Sequence, residues 1–301
     1  MDARRRTRAA LALVAAVVVF AVVIWLPGGR TSADARGRTE VVASFFPLAE
    51  AAAQVGGRHV AVHNLTPPGT EPHDLELSTR SVDELDGADL AVVLGDDFQP
   101  AVEDAARRRD GATLVALDAV GGELRADDPH VWLDPARMVD IVDAVSARLA
   151  RVDPSHAQTY RRRADRYTAA LRSLDGEYRD GLAQCTRRLV VTSHDAFGYL
   201  ASAFDLEPRS VSGLSPDAEP DARKLGELAD LARSKGVTTV FSEEMVSPRV
   251  ARTVAREAGG LRVVTLNPLE GLSAREQRAG EDYVGVMRAN LRALQRALDC
   301  T

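Results

Sequence analysis

From Thr39 to the end of the chain, short β-branched and aliphatic runs alternate with longer stretches whose apolar positions recur every three or four residues. In the first half this spacing predicts strand Val41–Phe45, helix Pro47–Val55, strand Val60–Leu65, a short helix Ser81–Leu85, strand Leu90–Leu94, helix Pro100–Arg108 and strand Thr113–Leu117. In the second half it predicts strand Leu189–Thr192, helix Ala196–Phe204, strand Arg209–Val211, helix Pro220–Ser234, strand Val237–Ser242, helix Pro248–Ala258, strand Val263–Leu266 and helix Glu281–Leu298. Strands alternating with helices of this length imply parallel sheets with right-handed crossovers. About four strands fall in each half, so the expected fold is α/β with two Rossmann-like lobes, each a small parallel sheet flanked by helices.

A different segment lies between the halves. Asp153 offers an N-cap and Pro154 suits the first helical position. Ala157, Tyr160, Ala164, Tyr167, Leu171, Leu174, Tyr178 and Leu182 then form one apolar stripe, opposite a face of Arg and Asp. About thirty helical residues span roughly 45 Å at 1.5 Å each. That length, placed between two βα arrays, predicts one long rigid helix joining the lobes. The expected organisation is therefore an N-terminal lobe over 38–152, a linking helix over 153–184 and a C-terminal lobe over 185–301.

The N-terminus departs from this alternation. Arg4, Arg5, Arg6 and Arg8 precede an unbroken apolar run from Ala9 to Leu26, and Ala33-Asp34-Ala35 offers a small-residue cleavage site. Residues 1–35 read as a signal peptide or an N-terminal membrane anchor, and both imply export, to the outer face of the cytoplasmic membrane or the periplasm. No cysteine follows the apolar run to carry a lipid. The segment holds five Arg and two Asp, which leaves 33 basic and 42 acidic residues and a formal charge of −9. Such a charge argues against nucleic acid and anionic membrane surfaces as partners. The two cysteines, Cys185 and Cys300, are expected to pair in an exported chain; the alternative is two separate buried thiols.

The candidate chemistry rests on histidine. Of six in the chain, three occupy turn-like, strand-ending contexts: His73 in "PPGTEPHDLELS", His130 in "DDPHVWLDP" and His194 in "VVTSHDAFGYLA". Open α/β sheets bind ligands in the crevice at the carboxyl ends of their strands, and neutral imidazole is the commonest protein ligand for zinc. His59 and His63 share a strand face and His156 falls in the first turn of the linking helix, so these three read as structural or solvated. A His₃ site needs a fourth ligand or a water. Asn267, Glu243, Glu244 and Glu71 are candidates, while Glu71, Asp134 and Asp195 could instead orient the imidazoles from behind.

Seven motifs occur in order: "TEPHDLELS", "DPHVWLDP", "DPSHAQTY", "VVTSHDAFGYLA", "GLSPDAEPD", "VFSEEMVSPRVARTVAREAG" and "LNPLEGLS". Over residues 38–300 the chain resembles the extracellular metal-binding solute-binding proteins of zinc and manganese ABC transporters. The resemblance implies two α/β lobes joined by one long helix, a metal held between them by His73, His130 and His194, and delivery of that metal to an ABC permease by a monomeric, non-enzymatic protein. In that family an aspartate usually supplies the fourth ligand, where this chain has Asn267. Manganese members tend to carry a carboxylate at the position of His194; three imidazoles favour Zn²⁺ over Mn²⁺. The stretch before His130, "DAVGGELRADD", lacks the histidines often found there in zinc members. Two other functions compete: a secreted His₃ zinc hydrolase, which would need an open coordination position and a general base, and a membrane-tethered zinc metallochaperone.

Overall fold

The computed structural model describes residues 37–214, 222–243 and 247–301. The expected signal or anchor segment, the first residues of the helix expected from Pro220, and Glu244 lie outside the described residues. Among the described residues, no helix is long and apolar enough to cross a membrane.

The first half contains β1 (Thr39–Ala43), α1 (Phe46–Gly56), β2 (Val60–Asn64), α2 (Thr79–Gly87), β3 (Leu90–Val93), α3 (Pro100–Arg108) and β4 (Ala112–Val115). Two long helices follow, α4 (Pro135–Val152) and α5 (Ala157–Leu182). The second half contains β5 (Leu189–Thr192), α6 (Gly198–Ala203), β6 (Glu207–Ser210), α7 (Ala222–Ser234), β7 (Thr239–Ser242), α8 (Arg249–Glu257), β8 (Arg262–Thr265), α9 (Ala274–Ala279) and α10 (Tyr283–Leu298).

The strands form two four-stranded sheets, ordered β2-β1-β3-β4 and β6-β5-β7-β8, with every pairing parallel. Burial explains the order. Central strands β3, β5 and β7 are buried at every residue, as strands covered on both faces must be. Strands β2, β6 and β8 mix buried or half-buried residues with exposed ones and lie at the edges. In both sheets the strand order reverses beside the first strand, which leaves a crevice at the carboxyl ends.

Helix α5 buries the stripe anticipated from sequence: Tyr160, Ala164, Tyr167, Leu171, Leu174, Tyr178 and Leu182 are all buried. It packs against α4 and α1 from the first half and α10 from the second. The Tyr178 hydroxyl donates to the Met287 carbonyl at 2.7 Å, and Arg288 of α10 pairs with Glu177 of α5 at 2.7 Å. Helix α4 has no counterpart among the predicted elements. Its start is nevertheless written in the chain: Asp134 Oδ1 accepts from the Ala136 N–H at 2.9 Å, Pro135 occupies the first turn, and Met138, Ile141, Val142, Val145 and Leu149 form a buried stripe.

One apolar core runs through both halves, from Val41 to Leu298. Trp132, fully buried, is a tie between them. Its indole N–H donates to the Pro268 carbonyl at 2.8 Å, and its own carbonyl accepts from the Tyr283 hydroxyl at 2.6 Å. Cys185 and Cys300 form a disulfide that joins the segments following α5 and α10.

Candidate metal centre

Every group singled out for chemistry comes from a segment that follows a strand's carboxyl end. His73 lies after β2, His130 after β4, His194 after β5, Glu243 after β7, and both Asn267 and Glu270 after β8. Parallel pairing puts all these ends on the same edge of their sheets, which is how residues nearly two hundred positions apart reach one point.

That point is Oε1 of Glu270. His73 Nε2 lies 3.3 Å from it, His130 Nε2 3.2 Å and His194 Nε2 3.2 Å. The four donor atoms all lie within 4.8 Å of one another. His130, His194 and Glu270 are buried, and His73 retains 12% of its side-chain exposure, so the solvent route to the cluster passes its ring. Phe98 packs edge-on against His73 with ring centroids 4.6 Å apart, and Trp132 lies 5.1 Å from His130, forming an apolar wall.

Other carboxylates stand behind the imidazoles. Asp128 Oδ1 lies 2.9 Å from His130 Nδ1 and also accepts the His130 backbone N–H at 3.1 Å. Arg125 Nε donates to Asp128 Oδ2 at 3.2 Å. Glu243 Oε1 accepts the His194 backbone N–H at 3.1 Å, while its Oε2 lies 2.6 Å from His194 Nδ1, an ion-pair contact whose angles fall outside hydrogen-bond geometry. Glu71 differs from these two: it accepts the His73 backbone N–H at 3.2 Å and lies 3.9 Å from His73 Nε2, on the cluster side of the ring. In His130 and His194 the Nδ1 atom faces a carboxylate on the outer side and Nε2 is directed into the cluster, the orientation a metal ligand needs.

The electrostatics are those of a crowded site. Burial alone would push Glu270 up and the imidazoles down. Contacts from His130, His194 and His73 instead hold Glu270 well below the usual carboxylate range. Against the same burial, Glu243 and Glu270 raise His194 to about 10, and Asp128 and Glu270 raise His130. Glu71, with no imidazole hydrogen-bonded to its carboxylate, goes the other way: burial, reinforced by the charge of Glu270 and only partly offset by the His73 N–H and His194, pushes it to about 8.

The chemistry of the donor set, three imidazole nitrogens and a carboxylate oxygen, suits a tetrahedral cation, and the edges that meet at Glu270 match one. Ligand bonds of 2.0–2.1 Å require ligand-to-ligand edges of roughly 3.3 Å. The three edges from Glu270 Oε1 measure 3.3, 3.2 and 3.2 Å. The second oxygen, Glu270 Oε2, is buried with no hydrogen-bond partner, a cost to be expected where a further ligand satisfies the group.

The two groups expected to complete the shell do other work. Asn267 is turned into its own loop: Oδ1 accepts from the Leu269 N–H at 2.7 Å and Nδ2 donates to Glu276 at 3.0 Å. Glu243 sits on the far side of the His194 ring. Asp134 caps α4 and lies 3.5 Å from Arg137, committed to helix initiation rather than to an imidazole. Asp195 lines a polar cavity beside Arg125, Arg137 and Tyr199. Sequence reasoning missed Glu270 and Asp128. Both had a signal: Glu270 is the one acidic residue of the loop "LNPLEGLS" after a strand, and Asp128 stands two residues before His130.

Known proteins place this arrangement. The model of the family "Zinc-uptake complex component A periplasmic" (ZnuA) matches residues 41–297. The zinc-binding protein AdcA of Streptococcus pyogenes is 32% identical over 294 residues, covering 88% of this chain and 57% of that protein. The chain thus spans little more than half the length of these curated relatives. The high-affinity zinc uptake system protein ZnuA of Bacillus subtilis is 33% identical over 288 residues, covering 89% of this chain and 90% of that one. Among solved structures, the Zn(II)-bound ZnuA-like domain of Streptococcus pneumoniae AdcA superposes with a TM-score of 0.76 at 36% identity, covering 87% of this chain and all of that domain. TroA of Treponema pallidum shares the fold, with a TM-score of 0.79 at 24% identity. With a family model spanning both sheets and relatives above 30% identity over almost nine-tenths of its length, the chain belongs to the zinc-uptake complex component A periplasmic (ZnuA) family.

Proposed function

We propose that this protein captures a divalent transition metal, Zn²⁺ foremost, outside the cytoplasm and delivers it to an ABC permease, with His73, His130, His194 and Glu270 as the ligands. One observation carries the reading: three imidazole Nε2 atoms meet a single buried carboxylate oxygen at tetrahedral edge lengths. Three neutral nitrogens and one anion suit Zn²⁺, whereas Mn²⁺ prefers a larger share of oxygen. The Zn(II)-bound state of the streptococcal neighbour supports the same assignment. In this reading the lobes are residues 38–152 and 185–301, the linking helix covers 153–184, the protein works as a monomer, and the N-terminal segment directs export.

A hydrolase needs a coordination position left to water. Here four protein donors converge within 4.8 Å of one another, enough to supply a complete tetrahedral shell, which supports a role in holding metal rather than activating a nucleophile. Calorimetric titration of metal-free protein with Zn²⁺ and Mn²⁺ tests the proposal. One Zn²⁺ per chain, bound at least a hundredfold more tightly than Mn²⁺, is expected. No binding, or equal affinity for both ions, refutes it. Zinc-dependent stimulation of the permease's ATPase by the loaded protein separates delivery to a transporter from metallochaperone activity.

A further inference from the structure

The loop that presents Glu270 is strained and pinned at both ends. Leu269, immediately before the carboxylate, has φ 58°, a left-handed conformation that side chains other than glycine and asparagine rarely adopt, and it is fully buried. Asn267 Oδ1 accepts its N–H at 2.7 Å. Asn267 is locked in turn by Asn290 of α10, whose Oδ1 accepts the Asn267 N–H at 2.9 Å and whose Nδ2 donates to the Asn267 carbonyl at 2.7 Å. On the other side, Asn267 Nδ2 donates to Glu276 Oε1 at 3.0 Å; Oε2 of the same carboxylate closes the capping box of α9 by accepting the Ser273 N–H at 2.8 Å. The Pro268 carbonyl takes the Trp132 indole, and at the loop's far end the Leu272 carbonyl accepts the Gly69 N–H at 3.1 Å, in the loop that carries His73.

We infer that Asn267 is a positioning residue for the metal site: its amide holds Leu269 left-handed and so keeps the Glu270 carboxylate at the meeting point of the three imidazoles. The inference rests on the reading that these four groups bind metal. The amide is required, not merely a polar side chain. It must accept from Leu269 and donate to Glu276 at once. A carboxylate at position 267 would face the Glu276 carboxylate across 3.0 Å, so Asn267→Asp opens the brace even though it conserves the acceptor. The pair Asn267→Asp/Glu276→Gln restores both bonds with donor and acceptor exchanged, since glutamine also serves a capping box.

The test compares wild type, Asn267→Ala, Asn267→Asp and Asn267→Asp/Glu276→Gln by zinc affinity, by the visible absorption of the Co²⁺-loaded protein, and by the thermal midpoint of the metal-free protein. Both single variants should bind zinc at least tenfold more weakly and shift or weaken the tetrahedral Co²⁺ bands; the exchanged pair should recover affinity to within about threefold of wild type, with the wild-type spectrum. Should Asn267→Ala fail to fold, Asn267→Asp and its pair carry the comparison. A single variant that lowers only the thermal midpoint, with affinity and spectrum unchanged, overturns the inference, as does an exchanged pair no better than Asn267→Asp. Wild type failing to bind zinc would instead strike at the proposed function.

Discussion

The Cys185–Cys300 bridge provides the most quantitative forecast. It joins residues 115 positions apart, within a short antiparallel bridge in which the Thr186 N–H donates to the Asp299 carbonyl at 3.2 Å and the Thr301 N–H to the Gln184 carbonyl at 3.1 Å. Almost the whole second half is therefore closed into one loop in the unfolded chain. The chain-entropy relation for a loop of this length gives about 16 cal/mol/K, or about 5 kcal/mol at 25 °C. The folded body runs from Thr39 to Thr301. For a body of about 260 residues the unfolding entropy is roughly 0.55 kcal/mol/K, so losing the bridge should lower Tm by about 9 °C. Calorimetry of metal-free wild type against Cys185→Ser/Cys300→Ser reads this directly; metal is removed because bound ligand would raise both midpoints by mass action. The bridge sits at the amino end of β5, opposite the edge that carries the ligands, so zinc affinity should stay within about threefold. A Tm loss below about 2 °C would refute the loop-entropy argument. An unchanged Tm with a large loss of zinc affinity would mean the bridge organises the site rather than the fold.

Two further outcomes follow from the site. Asp128→Asn should weaken zinc binding 10- to 100-fold, the range for partners that orient a ligating histidine, because the amide cannot hold the His130 Nδ1–H as the carboxylate does; unchanged affinity would remove Asp128 from the site's support. His194 keeps its proton to about pH 10 in the metal-free protein because Glu243 and Glu270 outweigh its burial. Its raised value stabilises the metal-free fold fully below about pH 6.5, and that contribution is lost as pH rises toward about 10. Zinc must displace this proton, so calorimetry at pH 7.5 in buffers of different ionisation enthalpy should report at least about one proton released per zinc; heats independent of buffer would contradict the protonated state.

Both sheets were legible in the sequence because the central strands are apolar at nearly every position and turn residues bracket them. The long helix was legible because its buried stripe never breaks step from Tyr160 to Leu182. Helix α4 was lost for a chemical reason. Asp134 sits in a histidine-bearing motif, where a carboxylate suits a metal ligand's partner as well as it suits the N-cap ahead of Pro135 that the fold makes of it. The three histidines stood out because each lies in a stiff, Pro-rich or strand-to-helix context, although only His194 directly follows its strand and His73 and His130 come from longer loops after β2 and β4. The carboxylates did not sort themselves. Glu243 and Glu270 both follow strands, and only the fold shows that one faces Nδ1 of His194 and the other its Nε2. Asn267 stands out in the sequence as a possible fourth ligand, whereas in the fold its amide is turned into its own loop, bonded to the Leu269 N–H and to Glu276.

The central claim is that these four side chains hold the zinc. Crystals of zinc-loaded protein, measured on both sides of the zinc absorption edge, test it most directly. The account predicts one strong anomalous peak per chain, within about 2.0–2.2 Å of Nε2 of His73, His130 and His194 and of a Glu270 oxygen. A peak coordinated by Asn267 or Glu243 in place of Glu270, or a zinc bound elsewhere with this cluster empty, would contradict it.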